Sequence, residues 1–236
     1  AIYLTVAAFV SSFFPQSIEI QVFYIFNFTV SLFGAIGFYK LSKLLFNKEI
    51  AVYSFVFLLL FAPFFGHMLI NGRDTTLLAC NIWITFFSLK YFEFDLEKNK
   101  KYIIYLSVII AVGVGVRLHF IATLIPLVLY LFYNLYQTPK KLKIFFFIDL
   151  LKIIIISLFV VFIFWSHLHS DFFFRIKEMY LYHTNTLWGW PYAVLNGKFF
   201  ESSNYPLSYI FEYLFYKTPE YIIFLYICFF VFIKSI

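Results

Sequence analysis

Arg73 and Asp74 are the first side chains in this sequence whose types and spacing could do chemistry. They stand in the stretch 71–76, Asn-Gly-Arg-Asp-Thr-Thr, directly before an apolar run. In one interpretation Asp74 only caps the helix that begins after it, and Arg73 anchors the chain at an interface. In the other, the two residues form an acid–base pair beside the positive N-terminus of that helix, where anions are favoured.

Arg117 and His119 form a second polar pair, inside an otherwise apolar run and just after Gly113 and Gly115. A charged residue in such a run is costly and usually faces a cavity or a partner. Arg117 either extends to the headgroups of a bilayer or binds phosphate, for which its planar guanidinium is suited. The two glycines would let a backbone or a lipid chain approach closely.

His167 and His169 are separated by one residue, and Asp171 follows them. Because alternate residues share a face on a strand, the two imidazoles could hold one metal ion. No second paired motif completes a ligand set, so ordinary interfacial histidines are the alternative. We therefore assign no metal ligand and no certain cofactor, and a requirement for a divalent metal stays open.

Trp188 and Trp190 belong to an aromatic stretch that either forms a belt at the lipid headgroups or stacks on sugars. Asp149 and Lys152 are three residues apart, which is typical of an ion pair on a helix surface. The sequence contains no nucleotide-binding P-loop, nucleophile elbow, zinc-protease motif or dinucleotide fingerprint. The common soluble enzyme classes that use these motifs are therefore disfavoured.

The composition identifies the elements that must position these side chains. Of the 236 residues, 63% are hydrophobic and 13% are charged, whereas soluble domains have about 45–50% and about 25%. The apolar runs are roughly 15–25 residues long, enough for a helix to cross a bilayer. Seven prolines and eight glycines are too few for a barrel with many turns. The predicted fold class is all-α, a polytopic transmembrane helical bundle forming a single domain over 1–236.

The run 102–135 is too long for one span, because 34 residues of helix would measure about 51 Å against a hydrocarbon core of about 30 Å. Glycines and Arg117 interrupt it, so we predict two short helices that form an intramembrane hairpin. The full set of apolar runs is 1–14, 21–39, 50–66, 75–92, 102–135, 143–166 and 219–234.

Lysine clusters predict which ends of these helices face the cytoplasm. The clusters lie at 40–48, 90–101 and 140–143, and all three share one side if 102–135 enters the membrane and returns. The net charge of +6 is explained by this topology and does not indicate nucleic acid. The arginines and histidines then fall at or near the outer side, where 167–218 forms a loop segment with an interfacial helix at about 206–216.

The order of several motifs resembles the GT-C superfamily of membrane glycosyltransferases. The nearest branch contains the dolichyl-phosphate-mannose protein mannosyltransferases and the bacterial aminoarabinose transferases. The resemblance covers about 20–234. The matching stretches are a cytosolic turn at 46–51, a span reaching 62–63, an outer Gly-Arg-Asp at 72–74, a Gly-rich break at 113–117, and outer segments at 196–197, 205–209 and 217–219.

The resemblance implies transfer of a sugar from a polyprenyl-phosphate donor to a glycan, lipid or protein acceptor at the outer or lumenal membrane face. It implies a hexosyl or pentosyl transferase whose catalytic carboxylate lies in a first outer loop. The chain starts at Ala1 within an apolar run, so we expect a fragment that lacks the first span and that loop. We also expect a multi-pass protein of a bacterial plasma (inner) membrane.

The resemblance also assigns site residues. Asp74 matches an aspartate at a helix start in the family and is the catalytic candidate, orienting Arg73 or binding an acceptor hydroxyl. Arg117 stands where the family commonly has lysine, which preserves the charge. The predicted contacts are Arg73, Arg117 and His119 with the donor phosphate, and His183, Trp188, Trp190 and Asn204 with sugar or acceptor.

Two other functions remain open from the sequence. A lipid-carrier or glycolipid flippase would place its polar groups near mid-membrane on repeated, discontinuous helices. Here the polar groups cluster at one face and no internal repeat is visible, which favours the enzyme. A non-catalytic assembly subunit is the third reading.

Overall fold

The computed structural model describes residues 2–93, 100–136, 140–165, 169–185, 192–195, 197–201 and 206–232. They divide into two compact units, Ala1–Ser170 and Asp171–Ile236. The helices of the first unit are α1 (Ile2–Ser11), α2 (Glu19–Leu45), α3 (Lys48–Leu60), α4 (Ala62–Ile70), α5 (Gly72–Glu93), α6 (Lys100–Val116), α7 (Phe120–Thr123), α8 (Ile125–Tyr136) and α9 (Lys140–Phe164). A short 3₁₀ turn, Gln16–Ile18, precedes α2.

The helices confirm the prediction of an all-α membrane protein. Among the described residues, two segments are long and apolar enough to cross a membrane, Gln16–Leu45 and Lys143–Phe164. The bent pair α3 and α4 would be a third if it forms one span. Large apolar side chains cover much of the outer surface of this unit, as a lipid environment requires.

The predicted span at 50–66 is two helices that meet at an angle of 65°. Phe61 between them has an extended backbone, and Pro63 lies in the first turn of α4. Proline has no N–H to donate to the preceding turn, so the helix cannot continue through it without losing a hydrogen bond. Helix α4 ends at Ile70, and α5 begins at Gly72, directly after Asn71.

The most extensive helix contact in the first unit is between α2 and α5. Trp83 of α5 stacks on Phe33 of α2, and its indole Nε1 donates a hydrogen bond to the Phe33 carbonyl at 3.0 Å. A second buried contact joins α6 to α9, where Ser157 Oγ donates to the Ser107 carbonyl at 2.9 Å. The first contact joins α5 to α2 and the second joins α9 to α6, and Cys80 and Ile84 of α5 pack on Leu106 of α6, so the four helices share one core.

The hairpin predicted at 102–135 is present, but its break is not at the glycines. Helix α6 continues through Gly113 and Gly115 to Val116. The chain then turns at Arg117–His119 into α7 and α8. The glycines serve side-chain packing instead, because a Cβ at Gly113 would overlap the Phe120 ring and one at Gly115 would crowd Ile2.

The second unit contains α10 (Phe172–Asn185), α11 (Tyr209–Lys217) and α12 (Glu220–Phe232), with a two-stranded antiparallel hairpin of β1 (Tyr192–Leu195) and β2 (Lys198–Glu201). Helix α11 covers most of the helix predicted at 206–216, and α12 matches the last apolar run. The strands and α10 were not predicted. Gly197 has φ 74°, the left-handed conformation that hairpin turns use.

Candidate functional site

Asp74 and Arg117 form an ion pair that joins two distant parts of the sequence. Arg117 Nη2 lies 2.9 Å from Asp74 Oδ1, and the two side chains are 42% and 50% exposed. The contact brings the corner between α4 and α5 next to the break between α6 and α7. The prediction that the hairpin apex and the Arg73-Asp74 stretch lie at the same end of the bundle is thereby confirmed.

Asn71 fixes the orientation of Asp74. The Asp74 backbone N–H donates to Asn71 Oδ1 at 3.2 Å, and Asn71 Nδ2 donates to Asp74 Oδ2 at 2.8 Å. Asn71 is therefore the N-cap of α5, and Asp74 is its third residue. This corrects two expectations, that Asp74 itself is the cap and that the helix begins after it.

The carboxylate of Asp74 has a donor on each oxygen, from Arg117 on one and from Asn71 on the other. A carboxylate held in this way is suited to fixing the position of a guanidinium. The structure thus pairs Asp74 with Arg117 and not with Arg73, which was the alternative. The Asn71 contribution was missed, although Asn followed three residues later by an acidic residue resembles a capping box.

Arg73 is exposed and makes no ion pair or side-chain hydrogen bond with any residue in the described part of the chain. His119 is also exposed and directly precedes α7, two residues after Arg117. Together, Arg73, Arg117 and Asp74 carry one net positive charge. The N-terminus of α5, where Arg73 and Asp74 lie, adds a further partial positive charge. The arrangement can hold an anion.

An apolar cavity of about 240 Å³ lies between α1, α2, α5 and α6. Thr76 lines it two residues after Asp74, and Cys80 and Trp83 line it one and two turns further along α5. Its walls are almost wholly hydrocarbon and aromatic, so it suits an apolar group better than water.

A second polar cluster lies at the opposite end of α5. Asp149 accepts hydrogen bonds from Tyr91 Oη and from Lys152 Nζ, each at 2.8 Å. The predicted ion pair of Asp149 with Lys152 is confirmed, and Tyr91 is an unpredicted third member. Residues 74 and 91 are about 25 Å apart along the helix, close to the thickness of a hydrocarbon core.

Only some of the other predicted residues lie within the described part of the chain. His169 Nε2 lies 2.6 Å from the Phe162 carbonyl, and His167 is outside the described residues. Within the described ranges, no three His, Cys, Asp or Glu side chains are arranged to hold a metal ion. The predicted sugar or acceptor contacts also lie outside the description: Trp188, Trp190 and Asn204 entirely, and His183, which belongs to α10, in its side chain.

A comparison with protein families finds a match over most of the first unit. The family model described as dolichyl-phosphate-mannose-protein mannosyltransferase matches residues 4–165, which is more than half of the chain and includes both Asp74 and Arg117. Among curated proteins and among solved structures, nothing matches the chain significantly.

Proposed function

The chain belongs to the dolichyl-phosphate-mannose-protein mannosyltransferase family of membrane glycosyltransferases, which use polyprenyl-phosphate sugar donors, and from this premise we propose that Arg117 and Arg73 bind the donor phosphate. The observation that carries the proposal is the Asp74–Arg117 ion pair at 2.9 Å. It places a guanidinium in a fixed position at the same end of the bundle as the exposed Arg73. Two guanidinium groups and a helix N-terminus are complementary to a phosphate.

The reaction explains why a net positive site is useful. The bond between the anomeric carbon and the phosphate oxygen breaks, and the polyprenyl phosphate leaves with one more negative charge than it had in the donor. A new bond forms from the anomeric carbon to the acceptor oxygen, which loses its proton. Fixed positive groups next to the leaving phosphate stabilise the charge as it develops, which lowers the barrier.

Asp74 has a positioning role in this proposal. Its two oxygens accept hydrogen bonds from Arg117 and Asn71, so we assign it to holding the guanidinium and not to accepting the acceptor proton. We assign no general base among the described residues. His119 remains a proposed phosphate contact, and His183, Trp188, Trp190 and Asn204 remain proposed sugar or acceptor contacts.

The type of donor supports an outward-facing site. Nucleotide sugars are cytoplasmic, whereas a lipid-linked donor permits transfer on the other face. Asp74 lies in the first turn of α5 and Lys90 in its last turn, so the Asp74–Arg117 pair is at the opposite end of the helix from Lys90. Positively charged loops mark the cytoplasmic side. We therefore propose that the site faces outward, and a bacterial plasma membrane remains the proposed location. The sugar is proposed to be a hexose or pentose, with mannose suggested by the family.

Arg117→Ala tests the proposal, with farnesyl phosphate as the probe. We expect its affinity for the detergent-purified protein to fall about 10- to 100-fold, because a hydrogen bond to a charged group contributes about 1.5–3 kcal/mol. The matched control is Arg175→Ala, since Arg175 is paired with Glu178 at 2.7 Å in the other unit. Farnesol should bind both variants as it binds the unmodified protein.

Equal affinity of Arg117→Ala and the unmodified protein for farnesyl phosphate would refute the proposal. So would equal binding of farnesol and farnesyl phosphate to the unmodified protein, because the phosphate would then contribute nothing. Membrane insertion of each variant is checked by its extraction behaviour and by its melting temperature.

A further inference from the structure

We propose that Asn27 and Ser31 of α2 are positioning residues for the candidate site, acting through the corner between α4 and α5. The inference rests on the proposed function for its catalytic consequence. Neither residue touches Asp74 or Arg117. Both are buried, with 7% and 0% of their surface exposed. Polar side chains that are buried this deeply require hydrogen-bond partners, because burying them without a partner is costly.

The partners of both side chains are backbone carbonyls at the C-terminus of α4. The last four carbonyls of a helix have no donor within that helix. Asn27 Nδ2 donates to the Leu69 carbonyl at 2.8 Å. The single proton of Ser31 Oγ is shared between the Asn27 carbonyl of its own helix at 2.8 Å and the Met68 carbonyl at 3.3 Å. The His67 carbonyl is satisfied by the Asn71 backbone N–H at 3.0 Å. Two side chains one turn apart on α2 thus cap the helix that ends at the corner.

The cap sets the position of the next helix. Asn71 follows the capped turn directly and is itself the N-cap of α5, through which it orients Asp74. Gly72, the first residue of α5, packs so closely on α2 that a Cβ there would overlap Asn27 Oδ1. A shift of α4 away from α2 would therefore displace Asn71, then Asp74 and the guanidinium of Arg117.

One atom of Asn27 supports this reading. Its Oδ1 is buried and has no hydrogen-bond partner within the described residues. An unsatisfied buried acceptor destabilises the fold, so an apolar residue would be preferred here if only packing mattered. The contribution of the amide is its donor, which hydrogen-bonds the Leu69 carbonyl at the end of α4.

Asn27→Leu and Ser31→Ala remove the two donors, and Thr29→Ala is the matched control. Thr29 is an exposed hydroxyl on the same helix, and its hydrogen bond, to the Ile25 carbonyl at 2.8 Å, stays within α2. Ser31→Ala deletes a single oxygen atom, so it keeps the test available if Asn27→Leu does not fold.

The first readout is structural and independent of activity. Spin labels on Ile70→Cys, at the end of α4, and Leu118→Cys, in the α6–α7 break, report the separation of the two parts of the site. Both positions are exposed, and the native Cys80 and Cys228 are replaced by alanine. We expect the distance distribution to broaden in Asn27→Leu and in Ser31→Ala and to stay unchanged in Thr29→Ala.

The second readout is kinetic. With a short-chain polyprenyl phosphate mannose as donor, added to membranes that contain the acceptor, we expect kcat to fall about tenfold in Asn27→Leu with little change in KM. In an Arg117→Ala background the same substitution should cost no further activity.

The outcomes separate this inference from the proposed function. Unchanged distance distributions in Asn27→Leu and Ser31→Ala would overturn the positioning role, whatever the activity. A further loss of activity on adding Asn27→Leu to Arg117→Ala would overturn the pathway through Arg117. Full activity of Arg117→Ala itself would overturn the proposed function, and the spin-label distances would still decide whether α2 holds the corner.

Discussion

Asp74→Asn is the sharpest test of how the site is built, because it changes charge and hydrogen bonding while preserving shape. Each oxygen of the carboxylate accepts from a different donor, Arg117 Nη2 or Asn71 Nδ2. Asparagine has only one side-chain acceptor, so one of the two contacts must be lost. Asn71 cannot rotate its amide to compensate, because its Oδ1 caps α5.

The expected effect on stability is small. The paired side chains are 42% and 50% exposed, and ion pairs at such positions contribute about 0–1 kcal/mol because water screens them. The lost hydrogen bond adds about 0.5–1.5 kcal/mol. The protein should therefore insert and fold, with a modest decrease in melting temperature.

The expected effect on transfer is larger than the effect on binding. Loss of the carboxylate lets the guanidinium of Arg117 move, and a misplacement of about 1 Å can cost about 100-fold in rate. Removing the negative charge of Asp74 also reduces the repulsion of the donor phosphate, which partly offsets the weaker binding by Arg117. We expect kcat to fall about 10- to 100-fold, while the affinity for farnesyl phosphate changes by less than about fivefold.

The assay measures transfer from short-chain polyprenyl phosphate mannose in membranes, with initial rates normalised to inserted protein. Glu178→Gln is the matched control, because it neutralises an acidic partner of similar exposure, 49%, in a separate pair. The reasoning fails if Asp74→Asn transfers sugar at a near-normal rate. It also fails if Asp74→Asn slows Arg117→Ala further, since the carboxylate would then act independently of the arginine.

Two further predictions concern stability and leave the chemistry aside. Gly72→Ala should lower the free energy of unfolding by about 1–3 kcal/mol, because the added Cβ would overlap Asn27 Oδ1. Thermal melting in detergent measures this loss. Gly66→Ala is the control, because a Cβ at Gly66 would lie in open space. Tyr91→Phe removes the hydrogen-bond donor to Asp149 and should lower the free energy of unfolding by about 1–3 kcal/mol. The kcat per folded molecule should stay unchanged, and a lower kcat at equal folded fraction would contradict this prediction.

Much of the fold can be predicted from the sequence because a bilayer leaves few alternatives. Every long apolar run forms one, two or three helices, since backbone groups in lipid must be satisfied within the segment. The bend at Phe61 could be placed from Pro63, which cannot continue a helix. The hairpin at β1 and β2 also had a local signal, an Asn-Gly pair at 196–197 between apolar residues.

The site could be predicted only in part, because its geometry depends on contacts between distant residues. The sequence singles out Asp74 and Arg117 as polar groups at two chain reversals. It does not indicate that they meet, and the neighbouring Arg73 was the nearer partner for Asp74. Gly113 likewise looked like a helix break, but the Phe120 ring occupies the space above it and the helix continues.

The two polar clusters on α5 differ in a way that separates their roles. Asp149 is about 13 Å from the start of α9 along the helix axis and is 8% exposed. A carboxylate at that depth must be neutralised, which Lys152 of the same helix does. Tyr91 donates a hydrogen bond to it and thereby joins α5 to α9. Asp74 lies in the first turn of α5, and its side chain is half exposed. Such a position imposes little need for neutralisation, so stability alone does not explain why Arg117 is held there. The proposed binding of an anion would supply a reason, because a guanidinium that is already positioned loses less conformational freedom when its ligand binds.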